Sequence, residues 1–370
     1  MIKNNQDKKS TYYTHGFHPY PAKFTPQLVN KFFQRYCKVG DRILDPFCGS
    51  GTTLVEGIIN GMESYGIDLN PIAFIISKAK TNLYSANDIN IIKDILNEIN
   101  QINYQDNINK AVIPNFKNRD HWFQENVSKE LSILKNFIKN IDESNVKDLF
   151  LCAFSKIIVK VSNQDSEVRY CAKKKNHLDG IVFSEFNSTI NSYIALLSKN
   201  EIKVNSSAKI FNGDSIRILE KLENDFFDFI ITSPPYINTF DYYLYHKLRM
   251  FWLDYDHIPI RKKEIGNHHR IDSQKIEIAK SEYIISMKEI MDELSRVSKL
   301  HSKLVMIIGD GIVNGNIIDM SLVIDDICKV SNYKIIDIES TKLSETTRSF
   351  NKSFSNANKK EHNIVLINNK

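Results

Sequence analysis

The chain has no run of about 18 consecutive apolar residues, the length a helix needs to cross a bilayer. Its N-terminal stretch, MIKNNQDKKSTYYTHG, has charges with no apolar segment behind them, which speaks against a secretory leader. Cysteine is scarce: Cys37, Cys48, Cys152, Cys171 and Cys328 are scattered, odd in number and never spaced as C-x-x-C. A disulfide scaffold and a structural zinc site are therefore not expected, and a reducing cytoplasm is the natural compartment. Neither H-E-x-x-H nor a Cys/His cluster occurs, so no metal is expected. His15, His18, His268 and His269 read as surface or packing residues rather than ligands. No internal repeat is visible. The remaining composition is ordinary for a globular protein, 42% apolar and 25% charged, and 370 residues suffice for one large domain or two.

Net charge is +5 and unevenly spread. Residues 1–44 hold eight Lys/Arg against two acids, and residues 340–370 hold six against two. Those segments carry +6 and +4, so the 295 residues between them sum to −5. Basic termini around a slightly acidic body suit a polyanion if the fold brings the ends together; solvated termini suit the pattern equally.

Short β-branched runs predict strands at 42–45, 64–68, 208–214, 227–233, 303–311, 333–340 and 362–368. Their nearly unbroken apolar character is that of parallel strands covered on both faces. Helical patterns at 23–37, 52–61, 71–80, 280–299 and 317–331 lie between several of them, which predicts a doubly wound α/β sheet. Nothing helical separates the last two strands, so an antiparallel hairpin at one edge is expected. Residues 82–207 break the alternation, with no good strand and at least three helical patterns. Val127, Leu131, Leu134, Ile138 and Ile141 form one stripe, and Ser144 or Asn145 is placed to cap the next helix. This stretch, with 16 basic and 15 acidic residues, reads as a helical insertion into an α/β domain made of 1–81 and 208–370.

The strongest local signal is ILDPFCGSGTT at 43–53. A strand ends at Asp45, a glycine turn follows, and Thr52 or Thr53 opens a helix. Gly49 and Gly51 let backbone amides approach a ligand where a side chain would collide. Leu54 replaces the third glycine of a dinucleotide fingerprint, and no Gly-Lys-Ser/Thr ending makes this a phosphate loop. Asp45 is placed to face a cationic ligand or its amine. GIDLNP at 66–71 puts Asp68 at the end of the second strand, where an acid accepts both hydroxyls of a ribose. A helix cap by Asp68 or Asn70 explains that motif as well. In DFIITSPPYINTFDYY at 228–243, a buried strand runs into Ser233-Pro234-Pro235-Tyr236. The prolines fix the backbone, remove donors and leave rigid carbonyls without local partners. Ser233 and the Pro234 carbonyl would accept from an exocyclic amine, with Tyr236 as the aromatic face for the ring.

DPFCGSGTT, GIDLNP and TSPPY together resemble the S-adenosylmethionine-dependent amino-methyltransferases that act on exocyclic amines of DNA. HPYPAKFTPQLV at 18–29 is similar to that family's N-terminal cofactor motif. The resemblance covers 18–80 and 208–370 and implies a Rossmann-like class I S-adenosylmethionine-dependent methyltransferase sheet with a mostly helical insertion. It implies cofactor contacts at Phe24, Thr25, Pro26, Asp45, Pro46, Phe47, Gly49, Gly51, Thr52, Asp68, Leu69 and Asn70. Asp214, with Ser215 beside it, matches the position that commonly meets the adenine. Ser233, Pro234, Pro235 and Tyr236 would be the catalytic turn, working without a metal.

Serine before Pro-Pro-Tyr resembles the N4-cytosine enzymes more than the N6-adenine ones. Carbon-5 methylation needs a cysteine nucleophile, and no Pro-Cys occurs; Cys48 reads as a packing residue. The expected activity is N4-cytosine methylation of double-stranded DNA in a restriction-modification or defence system, with a cognate restriction partner. The alternatives are an N6-adenine DNA enzyme and a tRNA guanine-N2 methyltransferase; a binding protein without catalysis is a third. The tRNA enzymes often carry an RNA-binding domain before the core, and 17 residues precede the first motif here.

Two regions are candidates for reading bases. One is the insertion, with Arg169 and Lys173-Lys174-Lys175. The other is 237–300, with Tyr242, Tyr243, Tyr245, Arg249, Trp252, Arg261-Lys262-Lys263 and His268-His269-Arg270. Tyr245, Leu248 and Trp252 read equally as the buried stripe of a helix. SETTRSFNKSFSNANKK at 344–360 is expected to be a loop or hairpin tip, with Arg348 and Lys352 facing phosphates or solvent.

Overall fold

A computed structural model describes residues 9–21, 23–108, 111–167, 169–199, 206–237, 242–266, 276–313, 316–343 and 359–370. The basic segment with Arg348 and Lys352 and the His268-His269-Arg270 run lie outside those residues. Strands β1 (Arg42–Asp45), β2 (Glu63–Asp68), β5 (Ala208–Asn212), β6 (Phe227–Thr232), β7 (Ser298–Gly309), β10 (Tyr333–Lys342) and β11 (Lys360–Asn368) form one sheet. Two ribbons lie apart from it, β3 (Gln164–Ser166) with β4 (Arg169–Ala172) and β8 (Gly311–Val313) with β9 (Asn316–Ile318). The sheet order is β10-β11-β7-β6-β1-β2-β5. The five strands from β7 to β5 are parallel, and β11 runs antiparallel to both β7 and β10. The α/β class, the seven strands and the hairpin edge are those expected from the sequence.

Helices α1 (Pro26–Tyr36), α2 (Thr52–Ile59) and α3 (Pro71–Thr81) follow the first motifs, and α10 (Ser215–Leu219) follows β5. Between them stand α4 (Ala86–Asn100), α5 (Tyr104–Ile108), α6 (Arg119–Trp122), α7 (Glu125–Lys139), α8 (Asn145–Val161) and α9 (Ile181–Lys199). The chain continues with α11 (Tyr242–Trp252), α12 (His257–Lys263), α13 (Ile276–Val297) and α14 (Met320–Cys328). Thr25 caps α1, Asn70 caps α3 and Ser144 caps α8, each accepting from a backbone N–H of the first turn. One sheet face is covered by Val29, Phe32 and Phe33 of α1 on Ile43, Phe229, Ile231 and Val305. Leu44, Ile67, Ile230 and Leu304 face the other way, under Met287 and Leu294 of α13 and Ile324 of α14.

Helices α4, α7, α8 and α9 share one apolar core with Ile72 and Ile76 of α3 and with Leu248 and Trp252 of α11. Leu248 and Trp252 thus belong to a buried stripe. The absence of strands expected between 82 and 207 is corrected by the β3–β4 ribbon, whose strands of three and four residues are too short to show a period. Lys31 and Arg35 of α1 pair with Glu339 and Asp337 of β10, just before the basic 340–370 segment, at 2.7 and 3.3 Å. There, N-terminal cations are matched by C-terminal carboxylates rather than offered to a polyanion.

Behind the first strand, Glu56 of α2 is fully buried and accepts from Tyr12 Oη, from His15 Nε2 at 3.0 Å and from Asn30 Nδ2 at 3.3 Å. One carboxylate therefore fastens the 9–21 segment and α1 to the helix that opens after the glycine turn. Removing it orphans buried donors, so Glu56→Ala is expected to cost about 3 kcal/mol. Urea unfolding measures this, and a loss under about 1 kcal/mol would show that the network holds nothing together.

Candidate active site

The site is built at the carboxyl ends of the parallel strands, where the order reverses between β1 and β6, the place open α/β sheets bind ligands. Asp45 ends β1 and is 1% exposed. Its carboxylate accepts from Thr53 Oγ1 at 2.7 Å, from Thr232 Oγ1 at 2.7 Å and from the Phe47 N–H at 3.2 Å. Burial pushes its pKa up to about 6. Asp45 is not on the cleft wall, and three donors meet its oxygens from the turn, α2 and β6.

The turn that follows needs its glycines. Gly49 has φ +49°, and a Cβ there would stand 3.1 Å from the Tyr20 ring. Gly51 caps α2 at φ +76°, and its Cβ would meet Ser77 Cβ at 2.9 Å. Lys80, 1% exposed on α3, donates to the Ser50 carbonyl at 2.7 Å and pins the middle of the turn. Burial pushes its amine well below the ordinary lysine range. Burial raises the Cys48 thiol, as suits a packing residue.

Asp68 closes β2 and reads both ways at once. One oxygen accepts from Gly49 N and the other from Asn70 N, each at 2.8 Å, and its side chain also lines the cleft. Burial brings this carboxyl up to about 6. Asn70 Oδ1 caps α3 at Ile72 N, while its Nδ2 is buried without a partner. Ser50 Oγ, also on the cleft wall, is buried and unpartnered too. Buried polar atoms normally have a partner, and these two residues both stand on the cleft wall. Asp214 caps α10 at Ile216 N and lines the cleft, and Ser215 Oγ donates to the Pro46 carbonyl at 2.7 Å. Strands β1, β2 and β5 are thus tied together at one end.

Strand β6 delivers the Ser-Pro-Pro-Tyr turn to the same cleft, with Ser233 and Pro235 on its wall and Pro234 buried. Ser233 Oγ donates to Tyr236 Oη at 3.1 Å. The Tyr236 ring packs over Gly309, where a Cβ would approach it to 3.2 Å. Burial pushes the Tyr236 phenol up to about 12, so it is neutral at ordinary pH. The carbonyls of the turn are not all without local partners as expected: Tyr283 Oη donates to Pro235 O at 3.0 Å.

Of the residues singled out in the sequence, the cleft gathers Phe24, Phe47, Gly49, Thr52, Asp68, Leu69, Asn70, Asp214, Ser215, Ser233 and Pro235. Thr25 and Pro26 instead start α1, and Asp45, Pro46 and Gly51 shape the turn from behind. Sequence reasoning missed Tyr20, Lys23, Glu264 and Glu289, all on the cleft wall, which also carries Tyr242 and Lys263, singled out above as candidates for reading bases. Tyr20 and Lys23 sit inside HPYPAKF, and their nearness to Phe24 was the signal available. Glu264, which accepts from the Tyr242 N–H at 2.9 Å, had none.

His15 and His18 are packing residues: His15 meets Glu56, and His18 bridges Pro19 O and Ser155 Oγ. One trio of ligand-type side chains occurs among the described residues, Asp310, Asp319 and His362. His362 Nε2 bonds Asp310 at 2.9 Å, Asp310 also accepts from Lys360 N, and Asp319 caps α14. These atoms hold the β7–β11 end to α14. Among the described residues no helix is long and apolar enough to cross a membrane.

A family model described as DNA methylase matches residues 2–79. The type II methyltransferase M.MvaI of Kocuria varians is 32% identical over 261 residues, which cover 65% of this chain and 58% of that enzyme. The type II methyltransferase M.MjaII of Methanocaldococcus jannaschii is 26% identical, over 82% of this chain and 73% of that one. The chain thus spans less than two thirds of the Kocuria enzyme's length. A tRNA (guanine(10)-N2)-dimethyltransferase of Methanothermobacter thermautotrophicus is 40% identical over 52 residues, 14% of this chain and 16% of that one. The matched model and the two type II relatives support the DNA amino-methyltransferase family for this chain.

Proposed function

We propose that the protein is a DNA methyltransferase that moves a methyl group from S-adenosylmethionine to the exocyclic N4 of cytosine. The observation that carries this reading is the meeting of the glycine turn, Asp68, Asp214 and Ser233 on one cleft. The two relatives are named type II methyltransferases, which supports the methyltransferase reading. We infer a restriction-modification or defence setting, with double-stranded DNA as substrate and a cognate nuclease as partner.

The residues fit the cofactor. Asp68 would accept from its ribose hydroxyls, Asp214 would border its adenine, and Phe24 with the Gly49 turn would hold its methionine end. The unpaired Asn70 Nδ2 and Ser50 Oγ would complete the polar contacts. S-adenosylmethionine supplies an electrophilic methyl group on sulfur. The chain's own part is to hold a flipped base, extruded at a cost of a few kcal/mol. Ser233 commits its proton to Tyr236, so its oxygen is left as an acceptor for an amino proton, and the Pro234 carbonyl is a second acceptor. Neutral Tyr236, whose ring packs over Gly309 beside this turn, would supply the stacking face. Rate then comes from positioning and from acceptors fixed in advance.

Serine at 233 favours cytosine over adenine, and N6-adenine is the second reading of the same cleft. The 52-residue match to the tRNA enzyme keeps a tRNA guanine-N2 reading as the third. Labelled S-adenosylmethionine with unmethylated genomic DNA and bulk tRNA, followed by nucleoside mass spectrometry, separates them. N4-methylcytosine in DNA is expected; N6-methyladenine would overturn the serine argument, and label confined to tRNA would overturn DNA as substrate.

Two further outcomes follow from the geometry. Tyr236→Ala should lower methyl transfer by about 100-fold or more, in line with loss of base stacking and placement. Calorimetry should find its affinity for S-adenosylmethionine within about twofold of wild type, since no cofactor contact is assigned to that ring; full activity would refute the stacking role. Asp68 titrates near 6, and only its ionised form can accept from Gly49, Asn70 and a ribose together. Cofactor affinity should therefore be flat above about pH 7 and fall by up to about tenfold per unit below 6. A pH-independent Kd from 5 to 8 would remove Asp68 from the binding site.

A further inference from the structure

The two basic regions that are far apart in sequence come together beside the cleft. Lys247 of α11 lies 5.7 Å from the centre of the Tyr170 ring on β4 and 5.9 Å from that of Phe251. Phe251 stacks on Phe116 at 4.4 Å, which brings the neighbouring Lys117 to the same place. Tyr170 packs against Trp122 at 4.5 Å, and Arg261 of α12 lies over Tyr243 at 5.8 Å. Segment 111–122, the β3–β4 ribbon and α11–α12 therefore form one surface. Arg249 of α11, 1% exposed, locks it from beneath by pairing with Glu167 beside the ribbon and donating to Ser155 O.

The charge left on this face is positive. The groups acting on Lys247 through space are Arg261 and Lys117, both cations. The acids of these elements are engaged: Asp120 with Arg119, Asp165 with Arg169, Glu167 with Arg249 and Asp254 with Lys135. Asp256 caps α12, and Glu264 is buried against the Tyr242 N–H. Lys117, Lys173, Lys174, Arg261 and Lys262 are exposed, and the patch runs into the cleft through Lys263 and Tyr242. Like charges gathered where the nearby acids are already engaged cost stability unless a polyanion neutralises them.

We propose that this face, with Lys117, Lys247 and Arg261 at its centre, docks the phosphate backbone of double-stranded DNA and aims the duplex at the cleft. The inference rests on the proposed DNA methyl transfer. Helix α11 then has two tasks, lining the cleft at Tyr242 and meeting phosphate at Lys247 one and a half turns on.

The test is fluorescence anisotropy of the full chain with a labelled duplex over a salt series, comparing wild type with K117E/R261E. Each phosphate contact contributes about 0.9 to the salt slope, so the double variant should show a slope shallower by about 2. Affinity at 0.15 M salt should fall by roughly tenfold or more, while calorimetry finds S-adenosylmethionine binding retained. The milder K117Q/R261Q should lie between the two. K334E/K342E, two exposed positions on β10 at the sheet edge, should leave duplex affinity and slope unchanged. A wild-type affinity and slope in K117E/R261E would overturn this face while leaving methyl transfer intact. If the wild type binds tRNA and no duplex, the face and the proposed DNA activity fall together.

Discussion

Asp45 stands where β1 gives way to the glycine turn, and its two oxygens are claimed from different directions. Thr53 reaches one from the first turn of α2, and Thr232 reaches the other from the end of β6. The turn suited to a cofactor and the strand that delivers Ser233 are thereby locked to one buried acid. A carboxylate this deep is costly to ionise, hence a pKa near 6, and the three hydrogen bonds offset that cost. Were these bonds lost, the turn and the Ser-Pro-Pro-Tyr segment would move independently, and catalysis by positioning tolerates little such movement.

The rest of the site is arranged around that lock. Lys80 fixes the middle of the turn through Ser50, and Asp68 fixes its edge through Gly49. Ser215 fixes its start through Pro46. Three elements thus hold one short loop from different sides, and the glycines leave room for Tyr20 and Ser77 to press against it. Glu56 ties the preceding segment and α1 behind the same helix. Asn70 Nδ2 and Ser50 Oγ stay unpaired, both in residues of the cleft wall.

Much of this was legible in the sequence because the parallel strands are short, apolar and followed by unusual dipeptides. RILD, FDFIIT and the glycine turn announce themselves by local chemistry. The roles within the motifs were less legible. Asp45 and Asp68 both end strands before turns, yet one is walled off by two threonines and the other borders the cleft. Thr232 is distant from Asp45 in sequence, and no local pattern encodes their contact. The β3–β4 ribbon escaped because its strands are too short for a period, and it meets α11 through the buried Arg249, which pairs with the partly exposed Glu167. Glu264 and Glu289 reached the cleft by tertiary packing alone.

On this reading one cleft would hold the cofactor and present its reactive end to Ser233. A crystal structure with S-adenosylhomocysteine bound tests it most directly. The expected complex has ribose hydroxyls on Asp68, the adenine beside Asp214, and the sulfur turned toward Ser233, with Asp45 making no contact. A ligand seated elsewhere, or one whose sulfur points away from the Ser-Pro-Pro-Tyr turn, would contradict it.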